Sequence, residues 1–490
     1  MIYDYIIVGS GLGGLSVACL LTKDGKKVLV LEKGISPGGC ASTYSKNGYR
    51  FEAGATTLVG LGSKHPVGIL LGHLGIELRS LRLNPTMEIH GLGDGFFRTE
   101  ERNRWIPIVK GKFGGGKRME WFWRVLFFLS DCGWDLSIRY KTFPPQSLID
   151  FFSLLKSFQF SDLFLLCSNF FSIQFLIRFF GLNNLENFKK FVEEQLLITT
   201  QSGVSDTPIF IASLGLTYPN LDNYYLLGGI GSLAEELVLN IQKNQGEYRD
   251  KSEVTHIEQI PGGFMVHTKK DKFQSKELIS NIPIWNLAEL YEGVGKTKLL
   301  TSSQAREEEI WGAFTMGIVV DAKGIPKEVL HHQVHVGELP FGGGNSIFLS
   351  LSAPEDSKRC KADERVIALS THLKNPETWN RKSPDYQEKK RALQEVIYNR
   401  LETVLPWFRR SGIRFASTAS PATWQTWTGR KFGRVGGIPA RYFFNPFRYL
   451  GPIGPSQGLY LTGDTVYPGQ GIPAVVLGGL HLWERLRKRD

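Results

Sequence analysis

Ile6-Ile7-Val8 runs into Gly9-Ser10-Gly11-Leu12-Gly13-Gly14, and Val28-Leu29-Val30-Leu31 then ends on Glu32. Within this glycine fingerprint, which includes Gly13, Gly9 permits a tight turn and Gly11 lets bare backbone approach a pyrophosphate. Gly14 lets a helix pack closely on a strand. The helix that starts here offers free N–H groups and a positive dipole end to phosphates. Glu32 follows Gly14 by 18 positions, near the ~20 expected of an acid that binds a ribose hydroxyl. Beyond Lys33, a second glycine pair, Gly38-Gly39, lets backbone lie against more of the same ligand. At the other end of the chain, Leu459-Tyr460-Leu461-Thr462-Gly463-Asp464 is followed by Gly469-Gln470-Gly471-Ile472-Pro473. Asp464 can accept hydrogen bonds from ribityl hydroxyls. Gly471 lets backbone pass beneath a ring, and Ile472-Pro473 reads as the first turn of an apolar helix. A cofactor held by both ends of the chain is large, which favours FAD over a nicotinamide.

The elements needed to position these residues are an apolar strand before Gly9, an apolar helix after Gly14 and a second strand delivering Glu32. All are present in the pattern. The implied fold is α/β: a Rossmann-type FAD-binding domain, discontinuous, with an inserted α+β substrate domain and an aromatic helical membrane-facing region. The segments expected are 1–90, 223–290 and 419–490 for the FAD domain, 91–222 for the helical substrate and membrane-facing region, and 291–418 for the sheet and helices of the substrate domain. Met316–Val320 and Ser346–Ser350 read as strands, and Tyr386–Leu405 as a helix.

The stretch Lys33-Gly34-Ile35-Ser36-Pro37-Gly38-Gly39-Cys40-Ala41 resembles the flavoprotein family of amine oxidases, protoporphyrinogen oxidase and phytoene desaturase. Tyr49-Arg50-Phe51-Glu52-Ala53-Gly54-Ala55-Thr56-Thr57, Ser420-Pro421-Ala422-Thr423-Trp424 and the Pro468-Gly469-Gln470-Gly471 string narrow it to the carotenoid desaturase and isomerase branch. Relatives usually carry Arg at the position of Cys40, and amine oxidases Glu at that of Asp464. The resemblance implies that backbone near Val254 touches the adenine, and that the substrate is a carotenoid or related polyene. It points first to desaturation of C–C bonds, with quinone or oxygen as acceptor. A redox-neutral cis/trans isomerase or a retinol-saturase-like reductase would use the same site. An amine oxidase on a soluble amine and a non-catalytic flavoprotein are the readings from other classes.

At 490 residues the chain exceeds one core. Its formal net charge of +11 invites a polyanionic partner, but no nucleic-acid module is present. The region 119–180 is rich in Phe and Leu, including Trp121-Phe122-Trp123 and Phe127-Phe128, and a basic flank runs from Arg98 to Arg118. Its longest uncharged piece, Leu163–Ile177, is shorter than the ~20 residues a spanning helix needs. The expectation is therefore peripheral contact with a membrane surface, on its cytoplasmic side. The five cysteines are scattered and never CxxC, so a reduced compartment is expected, and the start of the chain shows no signal-peptide pattern.

His331-His332-Gln333-Val334-His335 invites a metal assignment. No Asp, Glu or Cys of ligand spacing accompanies it in sequence, so no metal is expected. No catalytic side chain is assigned either. Dehydrogenating or isomerising a polyene asks for a flavin face and a dry tunnel more than for an acid pair. Glu193 and Glu194 read as a solvated helix face and Arg430 as a structural ion pair.

Overall fold

The computed structural model describes residues 1–307, 310–439 and 450–489. Ile6 and Ile7 lie on opposite faces of the strand Ile2–Val8, and both are fully buried, as a central parallel strand requires. Val28–Leu31 pairs parallel on one side of it and Lys272–Ser280 on the other. Glu247–Arg249 extends the sheet beyond Val28–Leu31, and Leu459–Leu461 pairs parallel with the end of Lys272–Ser280. Five parallel strands thus come from the beginning, middle and end of the chain. Val254–Ile260 and Gly263–Thr268 form an antiparallel hairpin that continues the sheet from Lys272–Ser280. The helices Leu12–Lys23, Gly231–Lys243 and Ile472–Arg487 bury their apolar residues in one core against this sheet. This is a Rossmann-like fold interrupted by an inserted α+β region.

The inserted region has its own seven-stranded sheet. Its order is Ile413–Ala419, Gly312–Asp321, Glu364–Leu373, Ser346–Leu351, His331–His335, Met87–His90, Phe96–Arg98. All neighbours are antiparallel except His331–His335 and Met87–His90, which run parallel. Helix Tyr386–Val404 covers one face through Leu393, Ile397 and Leu401.

The expected membrane-facing helical region is corrected by the structure. Among the described residues no helix is long and apolar enough to cross a membrane. The aromatic run lies on helix Gly116–Arg139, whose 3.6-residue period turns Phe122, Trp123, Leu126 and Phe127 inward to a core shared with Met87, Ile89 and Phe96 of the second sheet. Trp123 packs edge-on against buried Trp105 at 5.1 Å. Part of the basic flank is buried or paired within the chain. Arg98 is fully buried, donating to Gln195 Oε1, Leu216 O and Asn220 Oδ1. Arg102 pairs with Asp131, and Lys110 and Arg124 pair with Glu120. The region is a packed helical layer on the end of the substrate-domain sheet. The apolar side chains left exposed include Trp121 and Phe128 of helix Gly116–Arg139 and, on the short helices that follow, Ile149, Phe160 and Phe179.

Candidate functional site

The turn between Ile2–Val8 and Leu12–Lys23 is built on Gly9, whose φ of +90° lies in the region that favours glycine. A Cβ on Gly11 would lie 2.6 Å from Asn281 Nδ2, and one on Gly14 would lie 2.9 Å from Gly9 O. Gly14 therefore closes the helix onto the strand, while Gly11 leaves its backbone open to the cleft. Within the helix, the Leu15 N–H reaches Gly11 O. The N–H groups ahead of it lack intrahelical acceptors and point to the cleft mouth.

That cleft has a volume of about 740 Å³ and is bordered by both ends of the chain. Gly9, Gly11, Gly13, Glu32, Lys33, Gly38, Gly39, Val254, Gly463, Asp464, Gly471 and Ile472 all line it, and of the residues singled out from sequence only Gly14 stands behind the wall. Glu32 is held rigidly at one end. Its Oε2 accepts from the Ser10 N–H at 2.9 Å and the Ser10 hydroxyl at 2.6 Å, and its Oε1 accepts from the Gly34 N–H at 2.6 Å. Lys33 is tied to Glu253 at 2.8 Å. At the other end Arg430 Nη1 lies 3.0 Å from Asp464 Oδ2. The remaining guanidinium nitrogens donate to Arg434 O and Gly436 O at 2.6 and 2.8 Å. Burial works against the Arg430 cation, but the Asp464 carboxylate outweighs it and raises its pKa. Burial pushes the Cys40 thiol up, which argues against a thiolate beside the cleft.

The residues fit a flavin dinucleotide on two grounds. Among the described residues, the buried oxygens Asn281 Oδ1 and Thr462 Oγ1 have no hydrogen-bond partner. Both border Gly13, where a Cβ would come within 3.1 and 3.0 Å of them. Two helix N-termini, those of Leu12–Lys23 and Ile472–Arg487, meet at the same cleft.

The far end also joins the helical layer. Gln470 donates to Thr199 O at 2.6 Å and accepts from the Gly437 N–H at 3.0 Å, while Gln201 donates to Val435 O at 2.6 Å. Asn281, Gln201 and Gln470 were not assigned to the site from sequence, because their roles depend on long-range contacts rather than on local spacing. Glu193 and Glu194 are not a solvated face. Glu193 accepts from the Val204 N–H, and Glu194 is buried against the Ser346 hydroxyl. Burial raises the Glu194 pKa despite that hydrogen bond.

Residues 7–74 match the family model for the NAD(P)-binding Rossmann-like domain. The chloroplastic prolycopene isomerase of Arabidopsis thaliana is 26% identical, over 98% of this chain and 82% of that protein. Human all-trans-retinol 13,14-reductase is 51% identical, but over only 10% of this chain and 8% of its own length. Among solved structures, wild-type putrescine oxidase bound to putrescine shares the fold with a TM-score of 0.64 at 13% identity, covering 100% of this chain and 99% of that one. The chain is thus similar over nearly its whole length to prolycopene isomerases, and it shares the overall fold of putrescine oxidase.

Proposed function

From its membership of the carotenoid desaturase and isomerase family, to which the near-full-length likeness assigns the chain, we propose that it binds FAD and isomerises double bonds of a carotenoid or related polyene without net oxidation. The observation that carries this reading is the match to prolycopene isomerases, which extends through the substrate domain and not only the dinucleotide half. It favours isomerisation over the desaturation expected first from sequence. Desaturation stays as the second reading, because both reactions ask the same of the cleft.

Bound flavin would supply reversible electron exchange with a conjugated carbon chain. The protein's part is to bind, orient and keep dry. Glu32 and the glycine turns would hold the adenosine and pyrophosphate end, with Val254 at the adenine. The Arg430–Asp464 pair and Gly471–Ile472 would fix the ring end. Tyr44, Trp424 and Trp427, which line the cleft beside Thr315 and Ala419, offer aromatic surface on which a polyene can lie. An isomerisation consumes no terminal electron acceptor, whereas desaturation would need a quinone or oxygen. Polyenes dissolve in lipid, so the reading also includes peripheral loading at a membrane surface.

Expression in cells that accumulate a defined poly-cis acyclic carotenoid, followed by pigment chromatography and mass analysis, tests the proposal. A product of unchanged mass and more extended geometry supports it. A product lighter by a pair of hydrogens moves the assignment to desaturation, and an unchanged pigment profile with flavin-loaded protein overturns both.

A further inference from the structure

Strand alternation puts neighbouring histidines of His331–His335 on opposite faces of the second sheet. His331 faces Thr57 and Ser350. His332 faces the other way, fully buried, with its ring 5.1 Å from that of Trp407. The parallel neighbour Met87–His90 lies in register with it, His332 opposite Glu88 and Val334 opposite His90. Glu88 and His90 therefore project on the same face as His332, a meeting of residues more than 240 positions apart.

The three ligand-type atoms form a nearly equilateral triangle. Glu88 Oε2 is 3.4 Å from His90 Nε2 and 3.5 Å from His332 Nδ1, and the two nitrogens are 3.2 Å apart. Ligands ~2.0–2.1 Å from a tetrahedral zinc ion are separated by about 3.4 Å, the edge of the tetrahedron. The tautomer agrees. His332 Nε2 lies 3.2 Å from Val329 O, and a carbonyl can only accept, so Nε2 carries the proton. In the neutral ring the Nδ1 lone pair then faces the Glu88 carboxylate and His90. A backbone carbonyl that orients the far nitrogen of an imidazole is the usual outer support of a metal-bound histidine. With the His90 proton on Nδ1, two lone-pair donors and a carboxylate oxygen converge and call for a cation between them; with it on Nε2, His90 donates across the triad instead.

We propose that Glu88, His90 and His332 form a binding site for a divalent transition metal, zinc by its ligand set, with water from the partly open Glu88–His90 side as fourth ligand. The site lies on the opposite face of the sheet from His331 and takes no part in the cleft chemistry. Its effect would be to fasten the edge hairpin Met87–Arg98 to the body of the sheet.

The test uses the flavin-loaded full chain, stripped with a chelator and dialysed against Zn²⁺ or Co²⁺. The expected result is one zinc per chain, and with cobalt the intense long-wavelength absorption of a four- or five-coordinate ion, read beyond the flavin bands. Glu88→Gln and His90→Gln, both at partly exposed positions, should each weaken zinc binding by at least the ~10–100-fold that losing an outer-shell partner costs and leave flavin content unchanged. Chelator should lower the Tm of the wild type but not of the double variant. Zinc uptake by the wild type no greater than by the double variant would show that the triad merely shares a proton. A cobalt spectrum identical to that of the free ion overturns the site without recourse to any variant.

Discussion

Arg430 and Asp464 form an ion pair at 3.0 Å that joins the loop after helix Pro421–Thr428 to the end of strand Leu459–Leu461. Both residues line the cleft, so the pair is also part of its wall. Asp464 keeps lone pairs for a ligand hydroxyl, while Arg430 is fixed by two carbonyls. Replacing Asp464 with Ala leaves a buried guanidinium without its counter-charge. The expected cost is about 3 kcal/mol of stability, with loss of flavin during purification. Thermal melts with and without added FAD measure both effects. A variant that melts like the wild type and stays yellow would mean that the pair neither supports the fold nor touches the cofactor.

Gly11→Val tests the opposite end of the cleft. Its Cβ would come within 2.6 Å of the Asn281 amide, and its methyl groups would occupy the space over the helix N-terminus. Flavin occupancy, read from the visible absorbance of purified protein, should fall to near zero while the far-ultraviolet circular dichroism is kept. Full occupancy in this variant would remove the phosphate-cradle assignment.

The glycine fingerprint, Glu32 and the Gly463–Asp464 turn were legible in sequence because a turn or a helix start is specified within a few neighbouring residues. Strand pairing is not. Glu328 and Glu338 flank His331–His335 in sequence, but the carboxylate that meets His332 is Glu88, which arrives with His90 from a different segment through one parallel register. The aromatic run from Trp121 shows the converse. Composition could not say which side of helix Gly116–Arg139 faces protein, because the partners Trp105, Phe188 and Phe191 come from other helices. Nor could it show that the nearby arginines already had partners.

Trp123→Ala follows from that correction. Trp123 is fully buried, packed on Trp105 and 5.5 Å below the Arg98 guanidinium. Its truncation should destabilise the protein by about 3–5 kcal/mol, read by urea denaturation. Trp121→Ala, on the exposed side of the same helix, should change stability little. Equal effects of the two substitutions would contradict the helix orientation.

The last prediction concerns acid. His481, on the C-terminal helix, is buried, and its pKa is pushed down to about 3. Burial is the main cause, the Lys141 and Arg485 cations add to it, and a backbone hydrogen bond at Ser137 opposes it. Those cations are themselves paired, Lys141 with Glu484 and Arg485 with Asp150. In the unfolded chain the imidazole titrates near ~6.5. Between these two values the unfolded state holds a proton that the folded state refuses, so stability is present above the unfolded pKa and is lost as pH falls through the window. His481→Gln removes the titration. Urea unfolding at pH 7 and pH 5, a range in which most carboxylates stay ionised, should show the wild type losing more stability than the variant. Equal losses would mean that His481 is protonated in the folded protein and that the C-terminal helix docks with a charged ring.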